Sequence, residues 1–154
     1  MELDSLVLRP IQTSDINSLC EVAATVGSGF TSLPNNKDFL QQRLELAVES
    51  FQQKNPPEER LYLLVMEDKL EGRFAGLCGI EAKVGNRVPF YNFKVSTVSQ
   101  VCESLDIYLE HKVLQVVNDF QAATELVSLF LHPDYRGHQR GELLSRSRFL
   151  FIAQ

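Results

Sequence analysis

Along this chain the period of the hydrophobic positions changes twice, and the changes mark out the elements. Residues 5–9, SLVLR, form a short apolar run stopped by Pro10, which predicts a strand. In TSDINSLCEVAATVG, Ile16, Leu19, Cys20 and Ala23 fall at i, i+3, i+4 and i+7, the spacing of a one-sided helix. Thr13 is its candidate N-cap, Asp15 suits the positive end of its dipole, and Gly27 and Gly29 are its expected stop. TSLPNN is a loop, after which Asn35 or Asn36 stands ready to cap a second helix over 37–53. Leu40, Leu44, Ala47, Val48 and Phe51 repeat there at helical spacing, and NPPEE closes the helix.

Beyond this point the segments shorten and the helical period disappears. RLYLLVMED and RFAGLCGIEAKVG are joined by DKLEG and predict an antiparallel hairpin. FYNFKVSTVS reads as a strand, and KVLQVVN as a shorter one. LVSLFL, residues 126–131, is a continuous apolar run ended by a proline, which predicts a strand buried on both faces. GELLSRSRFLFIAQ returns to helical spacing through Leu143, Leu144, Ser147, Leu150 and Phe151. The order is strand, two helices, several strands, helix, an α+β arrangement without repeats or an internal linker. The last helix has no closing glycine or polar tail, so the chain is expected to continue in a longer parent; a naturally frayed terminus is the alternative.

Composition narrows the function classes. With 154 residues, 44% of them hydrophobic, the chain suffices for one domain with its own core. A net charge of −5 argues against a nucleic-acid surface. Cys20, Cys78 and Cys102 lack metal-site spacing, so the expectation is free thiols in a reducing cytoplasm and no metal. The N-terminus MELDSLVLRP is too acidic and too short in apolar residues for a signal peptide, and no run approaches membrane-spanning length.

The chemistry gathers in LFLHPDYRGHQRGELL. An apolar strand breaks at Pro133, passes a basic turn carrying Gly137 and Gly141, and opens a helix. A helix's first turn leaves backbone N–H groups unpaired at the positive end of its dipole, where a pyrophosphate fits. Arg136, Arg140, Arg146 and Arg148 face one local acid, Glu142, in a chain that is acidic as a whole, an inversion that suits an anionic ligand. On these residues alone, a surface turn with a basic rim is an equal alternative.

RGHQRGELL after LFLHPDY resembles motif A of the GNAT acyltransferases, Arg/Gln-x-x-Gly-x-Gly/Ala. LRPIQTSDINSL, FTSLP, VMED, AGLCGIEAKVG, PFYNFKV, ELVSLFLHPDYR and LLSRSRFLF are, in the same order, similar to the N-terminal half of the arginine N-succinyltransferases. The resemblance implies a GNAT-like fold: a mixed, mostly antiparallel sheet flanked by helices, cut after the motif A helix. Residues 1–154 would be a single domain of a parent about twice as long. It implies succinyl transfer from succinyl-CoA to the α-amino group of L-arginine, with the remainder of the parent chain as a partner and an oligomer compatible with it.

By the same resemblance, Arg136, Gly137, His138, Gln139, Arg140, Gly141 and Glu142 form the pyrophosphate loop, with the N–H groups of residues 138–142 as donors. Leu129 and Leu131 offer backbone groups to the pantetheine arm while their side chains pack. Gln139 departs from the pattern, since a glycine is expected there. Acyl transfer needs a neutral amine, hence a base. Glu125, eleven residues before Arg136, is a candidate, with a solvent-facing glutamate at the start of the strand as the alternative. The resemblance puts the main acid/base residue outside this sequence, so the stretch by itself is expected to be inert. His111, His132 and His138 are lesser candidates. Thr31 and Ser32 stand where related proteins shape the acceptor site, or stabilise the turn. Glu81 and Tyr91 have no role readable from sequence. Two other functions stay open: a non-catalytic assembly domain with this fold, and a GNAT enzyme with another acyl donor or amine, such as ornithine.

Overall fold

The structure, a computed structural model, describes residues 5–26, 30–86 and 88–154. Gly27 and Gly29, the expected helix stop, and residues 1–4 of the N-terminal reading lie outside the described residues. The elements run β1 (Leu6–Pro10), α1 (Ile16–Thr25), α2 (Lys37–Phe51), β2 (Leu61–Asp68), β3 (Arg73–Glu81), β4 (Asn92–Cys102), β5 (Ile107–Val117), β6 (Glu125–Leu131) and α3 (Arg140–Ile152). The α+β class expected from the chain is the one observed. The chain divides into two compact units, residues 1–83 with 124–154, and residues 84–123.

The first unit has three layers. Its sheet has the order β1-β2-β3-β6, and every pairing in it is antiparallel, within the mixed, mostly antiparallel arrangement expected. Helices α1 and α2 cover one face, where Leu19, Leu40, Leu44 and Ala47 meet Leu61, Leu63, Val65 and Leu77. Helix α3 covers the other, where Leu144 and Tyr135 meet Leu64, Met66, Ala75 and Cys78. Residues 61–66 therefore point alternately into two cores, which is why β2 reads as an unbroken apolar run. Gly76 makes the second core possible, since a Cβ there would stand 2.9 Å from both Leu144 Cδ2 and the Phe130 carbonyl.

Asn36 caps α2 through the Phe39 N–H, 3.1 Å from its Oδ1. Thr13 is not a cap. A short 3-10 turn over residues 13–15 precedes α1, and the Asp15 carboxylate takes the Gln12 N–H at 2.8 Å. Asp15 also holds Arg9 through two bonds of 2.7 and 2.9 Å, and a paired carboxylate is a stronger acceptor here than a hydroxyl.

Two strand expectations need correction. Residues 126–131 are not buried on both faces, because Leu129 is 42% exposed. The cause is a bulge: Gly79 pairs with Val127 and Leu77 with Phe130, so β6 carries one extra residue, with Ser128 at φ 57°. Val127 and Phe130, an odd number apart, thereby both reach the α1–α2 core. The strand expected over KVLQVVN begins five residues earlier, at Ile107, in a stretch that mixes charged and apolar residues.

The second unit is a two-stranded ribbon. Strands β4 and β5 pair over eleven positions, from Asn92↔Val117 to Cys102↔Ile107. The Gln121 side chain closes its base, accepting the Phe90 N–H at 3.1 Å and donating to the Gly85 carbonyl. No helix among the described residues is long and apolar enough to cross a membrane, and no group of His, Cys, Asp and Glu there could hold a metal ion.

Candidate functional site

Strand β6 leads from the bulge directly into the turn singled out in the sequence. Past Leu131, a 3-10 turn over Pro133–Tyr135 is capped by His132, whose Nδ1 accepts the Asp134 N–H at 3.3 Å. Tyr135 is fully buried, and its hydroxyl lies 3.2 Å from Asp68 Oδ2 and 3.1 Å from Glu71 Oε2. Burial and these two carboxylates push the phenol up to about 12, so it stays a proton donor. Burial also acts to raise the Asp68 carboxyl, but N–H groups of Leu70 and Glu71 and the hydroxyls of Tyr135 and Ser5 outweigh it and hold it below its ordinary value. Arg73 reaches Asp134 at 3.4 Å and Glu71 at 3.5 Å. The β2–β3 turn thus fastens the near end of the 136–139 loop.

Three consecutive residues of that loop adopt left-handed backbone: Gly137 at φ 96°, His138 at 49° and Gln139 at 60°. Only Gly137 does so without cost. Gln139 occupies the N-cap position of α3 in this conformation, without a capping bond from its side chain. The Arg140 N–H turns back to the Gly137 carbonyl at 3.1 Å. The N–H groups of His138, Gln139, Gly141 and Glu142 meet no acceptor among the described residues. Four donors therefore open from one turn at the positive end of a helix dipole. No side chain crowds Gly137, and a Cβ at Gly141 would sit 3.7 Å from Leu131 Cδ2, an ordinary contact.

The basic rim is smaller than the sequence implied. Arg140 is buried and extends toward the Tyr135 carbonyl, 3.5 Å away, tying the far end of the loop to its near end. Arg148 is buried against Ser145, with bonds of 3.2 and 2.8 Å. Arg146 pairs with Glu142, leaving Arg136 as the exposed cation of the loop. Leu143 and Leu150, expected on the core face of α3, are exposed; Arg140, Leu144, Ser147 and Arg148 are the buried positions.

The acceptor-side candidates separate. Ser32 is drawn to the bulge, its hydroxyl 3.1 Å from that of Ser128, whereas Thr31 is exposed. Of the two leucines whose side chains were expected to pack, Leu131 is half-buried against α3, whereas Leu129, next to the bulge, is exposed. Glu125 lies at the other end of β6, roughly 20 Å from Leu131 at strand rise. It stands directly opposite Glu81. Desolvation and the Glu81 charge raise its carboxyl, and Arg43 opposes them. Arg43 lies 3.9 Å from Glu81, and its own guanidinium is lowered by burial. His111 and Tyr91 belong to the ribbon unit.

Sequence reasoning missed Ser128, Tyr135, Asp68 and Arg43. Each acts through a partner far along the chain, and only the Asp-Lys-Leu-Glu-Gly turn hinted at a carboxylate taking local N–H groups.

Comparison with known proteins gives one consistent picture. The family model described as Arginine N-succinyltransferase beta subunit matches residues 6–154. Arginine N-succinyltransferases from two Escherichia coli strains are each 40% identical over 148 residues, covering 96% of this chain and 43% of theirs. The structure of arginine/ornithine succinyltransferase subunit AI from Pseudomonas aeruginosa superposes with a TM-score of 0.90 at 32% identity, covering 97% of this chain and 46% of that one. The chain thus spans less than half the length of the relatives it matches.

Proposed function

Since the chain belongs to the arginine N-succinyltransferase beta subunit family, we propose that it provides the succinyl-CoA site of an enzyme that succinylates the α-amino group of L-arginine. The observation that carries this reading is the set of four acceptor-free N–H groups, on His138, Gln139, Gly141 and Glu142, at the start of α3. They receive the pyrophosphate, and Arg136 adds an exposed cation of the loop. The pantetheine arm follows the open edge of β6, using backbone groups of Leu129, at the bulge, and of Leu131, as a peptide-like strand would.

The amine nitrogen attacks the thioester carbonyl, the C–S bond breaks, and the CoA thiolate leaves. The ammonium proton must go before or during attack. Glu125, raised by burial and by Glu81, is a candidate for that proton, while the main acid/base residue belongs to the part of the parent chain outside this sequence. Ser32, fixed by Ser128, and Thr31 border the acceptor side. Ornithine is a second acceptor worth testing, because the Pseudomonas aeruginosa relative is named for both amino acids.

Full-length enzyme assayed with succinyl-CoA and L-arginine tests the assignment. Arg136→Ala should raise KM for succinyl-CoA about tenfold with kcat little changed, the effect of one charge-assisted bond made equally in ground and transition states. Calorimetry of the full-length protein showing no heat with millimolar CoA would overturn the site. The 154-residue stretch alone should show no turnover.

A further inference from the structure

The ribbon carries a pattern that the proposed transferase chemistry does not use. On one of its faces the cross-strand pairs are Phe93↔Val116, Val95↔Leu114, Thr97↔Lys112, Ser99↔Glu110 and Val101↔Tyr108. Phe93, Val95, Val101, Tyr108, Leu114 and Val116 are each 61–66% exposed. A two-stranded ribbon is marginal in water, and one that holds two exposed apolar bands needs a cover. Among the described residues β5 pairs only with β4, so its other edge offers a row of unpaired peptide groups.

We infer that this edge is covered by β5 of a second copy of the chain, in antiparallel register about a two-fold axis at His111. The reason is self-complementarity. Rotation about His111 sets Glu110 opposite the second copy's Lys112, Lys112 opposite its Glu110, and Tyr108 and Leu114 opposite its Leu114 and Tyr108. Across the resulting four strands one row reads Val95, Leu114, Tyr108, Val101, all apolar. The next reads Thr97, Lys112, Glu110, Ser99, all polar with opposite charges adjacent. Cross-strand neighbours of these kinds are the favourable ones, and like charges directly opposite are not. Strand β4 has no such symmetry: its one charged residue, Lys94, would face Gln100 about its centre at Thr97. The interface is isologous, as a two-fold contact requires, and it pairs the open edge of β5 in both copies.

The test uses the full-length protein in analytical ultracentrifugation. Glu110→Lys sets Lys against Lys twice across the axis, and Lys112→Glu sets Glu against Glu twice. Each variant alone should dissociate, with the dimer constant weakened about tenfold or more. Mixed in equal amounts the two should reassociate, because every cross-axis pair is then Lys with Glu. His111→Cys should cross-link two copies under mild oxidation, since paired residues on neighbouring strands lie within disulfide reach. A monomeric wild type, single variants that keep the wild-type mass, a mixture that stays dissociated, or no cross-link above that of wild type would each overturn the inference.

Discussion

At the scale of the residue, two of the loop's three left-handed positions are of opposite character. Gly137 at φ 96° has a conformation that a side chain resists, whereas Gln139 at φ 60° already bears the cost of one. Gln139→Gly should therefore stabilise the fold by about 0.5–1 kcal/mol, net of the added chain entropy, while Gly137→Ala should cost about 1–2 kcal/mol. Thermal melts resolve this, with shifts of about 2–4 °C per kcal/mol at this chain length. A destabilised Gln139→Gly would mean that the glutamine side chain holds the loop. The departure from the glycine pattern at this position was legible in the sequence. Its backbone conformation was not, because φ depends on how β6 and α3 are anchored.

At the scale of the element, the bulge in β6 decides which side chains enter which core. Deleting Ser128 restores regular alternation and swings either Val127 or Phe130 off the α1–α2 face, which should cost about 3–5 kcal/mol in urea titrations. Ser128→Gly keeps the left-handed backbone and loses only the hydroxyl contact with Ser32, so it should cost about 1 kcal/mol or less. If the deletion proves as mild as the glycine variant, the bulge does not set the register. The apolar run 126–131 announced a strand, yet its bulge had no sequence signal, since the usual glycine is a serine. Helix α3 shows the same limit. Its helical spacing was visible, but two of its four buried positions are arginines, placed inward by bonds to the Tyr135 carbonyl and to Ser145.

At the scale of the whole molecule, stability should depend on pH from both ends through one cluster. Asp68 has a lowered folded value, so its contribution is complete above its ordinary 3.8 and is lost as pH falls through the lowered one. Tyr135 has a raised value, so its contribution is complete below its ordinary 10.0 and is lost as pH rises toward about 12. Asp68→Asn should flatten the acid limb of a urea-midpoint profile, and Tyr135→Phe the alkaline limb. An unchanged alkaline limb in Tyr135→Phe would show that the phenol is not what titrates. The sequence by itself determined the elements, the α+β class, the strand–turn–helix with its glycines and, through collinear motifs, the family, because periodicity, caps and turn residues are local properties. Tertiary structure alone decided what those residues do. It buried Arg140 and Arg148, set Glu81 opposite Glu125, joined Ser32 to Ser128 and clamped Tyr135 between Asp68 and Glu71. These are contacts between residues distant in the chain, whose burial and partners follow from sheet register and layer packing and leave no periodic trace in the sequence.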